Sequence, residues 1–291
     1  MKYCLPEGIA PVAKQDPINW KILRDFDVGQ KAVLLKRLKE FTLSNPDIDH
    51  IGILVAGQIG AGKSSFINSV TNVFEGRITN SAQVNSSATG RSFTENYKTY
   101  RIRSGGADLP FVLRDVMGLE PEKFEGSSVE DIVNAVLGHI REKYKFDPKD
   151  SLNFKTEPFN TDPTLSEKAL CLVYIIDAST IDFTDDKLIE KLEAIRLKLK
   201  EKGIPQVIVM TKVDEACPLV KNNLRKIYHS KKIKEKMQMC SDKVGVPMTS
   251  IFPVKNYHEE IDTNDTIDVL ILKALDQILH NADDRLREGD I

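Results

Sequence analysis

The sequence predicts a doubly wound α/β fold, with a mostly parallel sheet, one antiparallel edge hairpin and an N-terminal helical extension. Three observations carry this expectation. Short apolar runs recur at 51–56, 109–116, 169–177, 205–211 and 249–254; amphipathic helical patterns separate the later ones; and the first run leads straight into a glycine-rich turn.

Residues 17–42 carry Leu34, Leu35, Leu38 and Phe41 at helical spacing, and Asn45-Pro46 stops the pattern, so residues 1–48 read as a helical extension. IGILVA (51–56) is branched, apolar throughout and bounded by glycine, as a strand covered on both faces requires. Phe66, Ile67, Val70 and Phe74 then mark an amphipathic helix. SFTENYKTYRI (92–102), Gly105-Gly106 and LPFVLRDV (109–116) fit the hairpin. ALCLVYIID (169–177), PQVIVMT (205–211) and TSIFPV (249–254) complete the strands. Helices fall at Leu188, Leu192, Ile195 and Leu199, and at Val269, Leu270, Leu272, Leu275 and Leu279.

One domain over 49–291 holds these elements, with 119–168 as an insertion, because connections in α/β units ordinarily take about 2–6 residues. Within it, Val129, Ile132, Val133, Val136, Leu137 and Ile140 share a helix face, and the insertion 119–168 as a whole is a candidate surface for an effector or a homo-oligomer partner.

Composition narrows the function classes. The 291 residues are 41% hydrophobic and 29% charged, enough for a sizeable core, and 41 basic against 43 acidic side chains leave a net charge of −2. No global field draws such a chain to nucleic acid or an anionic membrane, and no DNA partner is expected. Cys4, Cys171, Cys217 and Cys240 lie far apart without a C-x-x-C pair, which argues against a zinc site or a secreted disulfide scaffold. The N-terminal MKYCLPEGIAPVAKQDP lacks an apolar core of signal-peptide length, no later stretch approaches the roughly 20 apolar residues of a membrane span, and neither Lys2 nor the terminal GDI fits a lipidation pattern, so a cytoplasmic address is expected. The basic stretch 221–236 reads as a solvated helix face, with anionic lipid or RNA as the other reading.

The chemistry is concentrated in ordered motifs. GQIGAGKS (57–64) fits G-x-x-x-x-G-K-[ST] between a strand and a helix. The turn through Gly57, Gly60, Ala61 and Gly62, with Ser65 just inside the helix, lets successive backbone N–H groups wrap phosphates at a positive helix end. Lys63 reaches β and γ oxygens, and Ser64 offers its hydroxyl to Mg2+. DVMG (115–118) ends the next strand, so Asp115 holds the magnesium through water and Gly118 turns its N–H toward a γ-phosphate.

TKVD (211–214) closes another buried strand, where Asp214 accepts the N1–H and N2–H₂ donors of guanine and the Lys212 stem covers the base. Thr211 stands where related proteins often have asparagine. FPVKN (252–256) brings the N–H groups of Val254 and Lys255 to the guanine carbonyl, or else simply forms a turn. Thr94 is the favoured switch threonine and third metal ligand, ahead of Thr89 and Thr79, because its distance from Asp115 suits two strands and a turn.

The ordered set GQIGAGKS, SFT, DVMG, TKVD and FPVKN resembles the P-loop GTPase superfamily, and the wording of DVMGLE and FPVKNYHEEIDTNDTIDVLILKAL resembles the interferon-induced protein 44 family from about residue 20 to the end. The motifs themselves call for GTP or GDP with Mg2+, and the resemblance implies a cytoplasmic, interferon-responsive role in innate immunity. Longer members carry a further N-terminal domain, so the chain is expected to be a short member.

Where efficient GTPases place a water-orienting glutamine after D-x-x-G, this chain has Leu119, so slow intrinsic hydrolysis is expected unless Glu120, Glu122, Arg77, Arg91 or a partner completes the site. The expectation is therefore a guanine-nucleotide switch or assembling scaffold. The alternatives are an efficient GTP hydrolase activated by dimerisation and a P-loop ATPase.

Overall fold

The computed structural model describes residues 27, 29–79, 82, 96–122, 126–147, 149–153, 155 and 159–289. In chain order the elements are α1 (Gln30–Lys39), β1 (Ile51–Gly57), α2 (Lys63–Glu75), β2 (Lys98–Ser104), β3 (Ala107–Asp115), α3 (Val129–Val136) and β4 (Ala169–Asp177). They continue through α4 (Asp186–Lys200), β5 (Gln206–Thr211), α5 (Val213–Ala216), α6 (Pro218–Asn222), α7 (Lys231–Val244), β6 (Ile251–Pro253) and α8 (Asp265–Glu288).

Six strands form one sheet in the order β2-β3-β1-β4-β5-β6. Every pairing is parallel except that of β2 with β3, which Gly105 and Gly106 join at φ 60° and 84°. Two successive left-handed residues match the twist of a tight hairpin, and glycine adopts them at little steric cost. β1 and β4 are buried at every position, which explains why their sequences are near-continuous apolar runs rather than alternating ones, broken only by Asp177 at the end of β4.

Helices α1, α2 and α8 lie together over one face of the sheet, and α3, α4 and α7 over the other. The chain leaves β3 on one side of β1 and returns as β4 on the other. Such a reversal opens a crevice beyond the carboxyl ends of the strands, where α/β sheets bind ligands.

The N-terminal helix is fastened to the last one. Leu34 and Leu38 of α1 are buried, Lys31 pairs with Asp265 and Asp268 at 2.7 Å each, Arg37 pairs with Asp276, and the Ser44 N–H donates to Asp283 at 2.9 Å.

Within the insertion, α3 packs on α4 and β4, with Ile132, Ala135 and Val136 fully buried. A reciprocal Ser128–Asp131 capping box starts the helix. The end of the insertion is clamped by Arg114, a buried β3 residue that donates to the Ser166 and Glu167 carbonyls. Gly52 of β1 makes room for it, since a Cβ there would fall 2.6 Å from the Lys168 carbonyl and 2.8 Å from the guanidinium carbon.

The basic stretch 221–236 is amphipathic rather than uniformly solvated: Ile227 and Ile233 are buried, and Lys236 is buried against Asp182. Among the described residues, no helix is long and apolar enough to cross a membrane.

Candidate functional site

β1 ends at Gly57, and the chain turns through 58–62 into α2. Gly60 and Gly62 adopt φ of 77° and 97°, a region that disfavours any side chain, and Gly62 is the N-cap of α2 without a side-chain cap. The first N–H groups of α2 thus open on the crevice as an anion-binding helix end, with Ser65 in its first turn.

Lys63 is 7% exposed and folds back on the turn, donating to the Gly57 and Gln58 carbonyls at 3.1 Å each. Burial lowers its pKa, opposed by the charges of Asp115 and Glu120. Next to it, the Ser64 hydroxyl donates to Asp115 Oδ2 at 3.1 Å, which brings α2 and the carboxyl end of β3 together.

Two hard oxygen ligands meeting beside a phosphate cradle fit magnesium. Among the described residues no group of three or more His, Cys, Asp or Glu could hold a metal by itself.

Beyond Asp115 the chain closes on the turn. Gly118 is packed so tightly that a Cβ would lie 2.5 Å from Ile59 Cγ1 and 3.0 Å from the Lys63 ammonium. The Leu119 N–H donates to the Gly57 carbonyl at 3.0 Å, and its carbonyl accepts the Ile59 N–H at 3.3 Å. The Leu119 side chain is fully buried in the core. Of the residues considered to replace a glutamine, Glu122 is exposed and paired with Lys187 at 3.0 Å, while Glu120 stands near enough to Lys63 to influence its charge. Arg77 is exposed, 3.8 Å from Glu75.

The residues expected to read a base lie at the ends of β5 and β6. Thr211 is fully buried and donates to the Ala61 carbonyl at 2.6 Å. Lys212 has φ 53°, unusual for a side-chain-bearing residue, and its ammonium meets Asp177 at 2.7 Å, so the expected stem over a base starts from a tethered lysine. Asp214 follows in the first turn of α5, partly exposed, with Lys255 Nζ 3.8 Å away.

Val254 requires a correction. Its N–H donates to the Met210 carbonyl at 2.8 Å and the residue is fully buried, because the β5–β6 pairing extends one residue past the strand; its N–H is therefore not directed at a base carbonyl. Lys255 remains beside Asp214.

Two residues were missed by sequence reasoning. Asn256 Nδ2 donates to the Gly62 carbonyl at 3.1 Å, and the Tyr257 N–H donates to Ser69 Oγ of α2 at 3.0 Å. The asparagine of FPVKN was visible, but only the fold sets position 256 against position 62. Thr79 is committed elsewhere, its N–H and hydroxyl both donating to Asn72 Oδ1 at 2.7 and 2.8 Å. Thr94, Thr89, Arg91 and Cys4 lie outside the described residues.

No protein-family model matches the chain. Interferon-induced protein 44 from Pan troglodytes is 37% identical over 257 residues, covering 88% of this chain and 57% of that protein. Interferon-induced protein 44-like from Homo sapiens is 32% identical over the same length, covering 88% and 56%. The chain thus spans somewhat over half the length of these relatives. Among solved structures, Toc33 from Arabidopsis thaliana in complex with GDP and Mg2+ aligns with 90% of this chain and 97% of its own, at a TM-score of 0.50 and 15% identity. That likeness shows the fold.

Proposed function

Over the region it shares with its relatives this chain belongs to the interferon-induced protein 44 family, and we propose that it is a guanine-nucleotide-binding switch or assembling scaffold of the interferon-linked innate response, with slow intrinsic hydrolysis. The observation that carries the nucleotide reading is the 3.1 Å contact of Ser64 with Asp115, at the mouth of a turn lined by Lys63 and the first N–H groups of α2. A diphosphate or triphosphate would lie on those N–H groups, with Lys63 transferring its hydrogen bonds from the Gly57 and Gln58 carbonyls to phosphate oxygens. Ser64 and Asp115 would hold Mg2+, which neutralises phosphate charge when bound.

Asp214 supports guanine, because a carboxylate accepts from the paired N1–H and N2–H₂ donors that adenine lacks. Slow hydrolysis is supported by Leu119, whose buried side chain can neither orient nor deprotonate water.

Denaturing the purified protein and identifying the released nucleotide by chromatography tests the class: GDP or GTP supports it, and ATP or ADP overturns it. Single-turnover hydrolysis at rising protein concentration tests the rest. Appreciable turnover at low concentration contradicts the slow switch, and a rate that climbs steeply with concentration favours a hydrolase completed by dimerisation.

A further inference from the structure

Beside the base-reading end lies a cavity of about 280 Å³ whose wall includes Asp214, Arg225, Lys255, Glu260 and Asn264. Lys255 is suspended in it between two carboxylates. Its ammonium donates to Glu260 Oε1 at 2.5 Å and stands 3.8 Å from Asp214 Oδ2. Glu260 is fixed in turn, since its other oxygen accepts the His258 N–H at 2.9 Å. All three side chains are partly buried, at 22 to 28% exposure, where charges are less screened than at the surface.

We propose that Glu260 is a specificity-determining positioning residue for the base site: it holds the Lys255 ammonium away from Asp214 and so keeps that carboxylate open to the guanine edge. The inference rests on the reading of Asp214 given above.

The physical reason is competition for one cation. With Glu260 charged, Lys255 has a contact partner, and its approach to Asp214 stops short of hydrogen-bonding distance. Without the Glu260 charge, Asp214 is the nearest carboxylate the structure pairs with Lys255, and closing the gap forms a charge-assisted hydrogen bond. An Asp214 carboxylate engaged by an ammonium is a poorer acceptor for the guanine donors. Phosphate contacts at the other end of the site are untouched.

The test compares GDP with inosine diphosphate, which lacks only the 2-amino group, by calorimetric titration with Mg2+ present. Wild type preferring GDP to inosine diphosphate and to ADP supports the Asp214 reading; no such preference overturns that reading before any variant is made. Given the preference, Glu260→Gln is expected to weaken GDP about tenfold and to shrink the GDP-to-inosine ratio, the scale of one charge-assisted hydrogen bond. Adding Lys255→Met to Glu260→Gln removes the competing ammonium and is expected to restore both. A Glu260→Gln protein with the wild-type ratio overturns the proposal, and so does a loss that persists in the double variant, since a merely structural role for Glu260 is not rescued by deleting Lys255.

Discussion

The Thr211 hydroxyl donates to the Ala61 carbonyl at 2.6 Å from a fully buried position. Asn256 repeats the device one residue on, donating to the Gly62 carbonyl at 3.1 Å. The loops proposed to read a base are thus hydrogen-bonded to the turn proposed to hold phosphates. Thr211→Val keeps the side-chain shape but leaves the Ala61 carbonyl without this donor, so stability falls by about 1–2 kcal/mol in urea unfolding and nucleotide affinity drops several-fold. A valine variant equal to wild type in both measurements would show the link to be inert.

Lys63 is expected to make the stability of the nucleotide-free protein depend on pH. Burial lowers its folded pKa below the ordinary 10.5, so the unfolded chain binds more protons between the two values. The cost of the buried charge is in full force below the folded pKa and fades as pH climbs toward 10.5. Nucleotide-free wild type should therefore gain stability relative to Lys63→Met over that rise, while the methionine variant loses any thermal shift on adding GDP. The opposite slope in the difference between the two proteins would sink the assignment.

Leu119→Gln separates a missing catalytic group from a structural one. The side chain points into the core, so a glutamine there does not reach phosphate. Burying an amide in place of a leucine costs about 2–4 kcal/mol, and the single-turnover rate stays unchanged. A variant that remains as stable and hydrolyses GTP faster would mean that this segment rearranges around the nucleotide.

Ser64→Ala removes one of the two oxygens proposed to hold magnesium, the hydroxyl that meets Asp115. GDP affinity in Mg2+ is expected to fall about tenfold or more and its dependence on Mg2+ to flatten, while binding in excess chelator barely changes. Equal losses with and without the ion would place the effect in the loop instead.

Much of the fold was legible because its signals are local. A strand buried on both faces is apolar over nearly all its length, and β1, β4 and the middle of β5 announce themselves that way. The P-loop carries its own requirements in sequence, since Gly60 and Gly62 occupy left-handed backbone and Lys63 and Ser64 follow at fixed offsets. The apolar stripe of α3 was equally clear, yet it does not say what covers it. Amphipathicity reads the same whether the partner is another protein or, as here, α4 and β4.

By itself the sequence determined the sheet's strands, the phosphate turn and the order of motifs, because backbone conformation and burial impose residue types at short range. Tertiary structure alone decided that Val254 gives its N–H to Met210, that Asn256 reaches Gly62 across 194 positions, and that Lys255 sits between Asp214 and Glu260. Those contacts depend on where separate strands end relative to one another. No local pattern encodes that spacing; it follows only once the sheet has set the register of β5 against β6 and of β1 against β3.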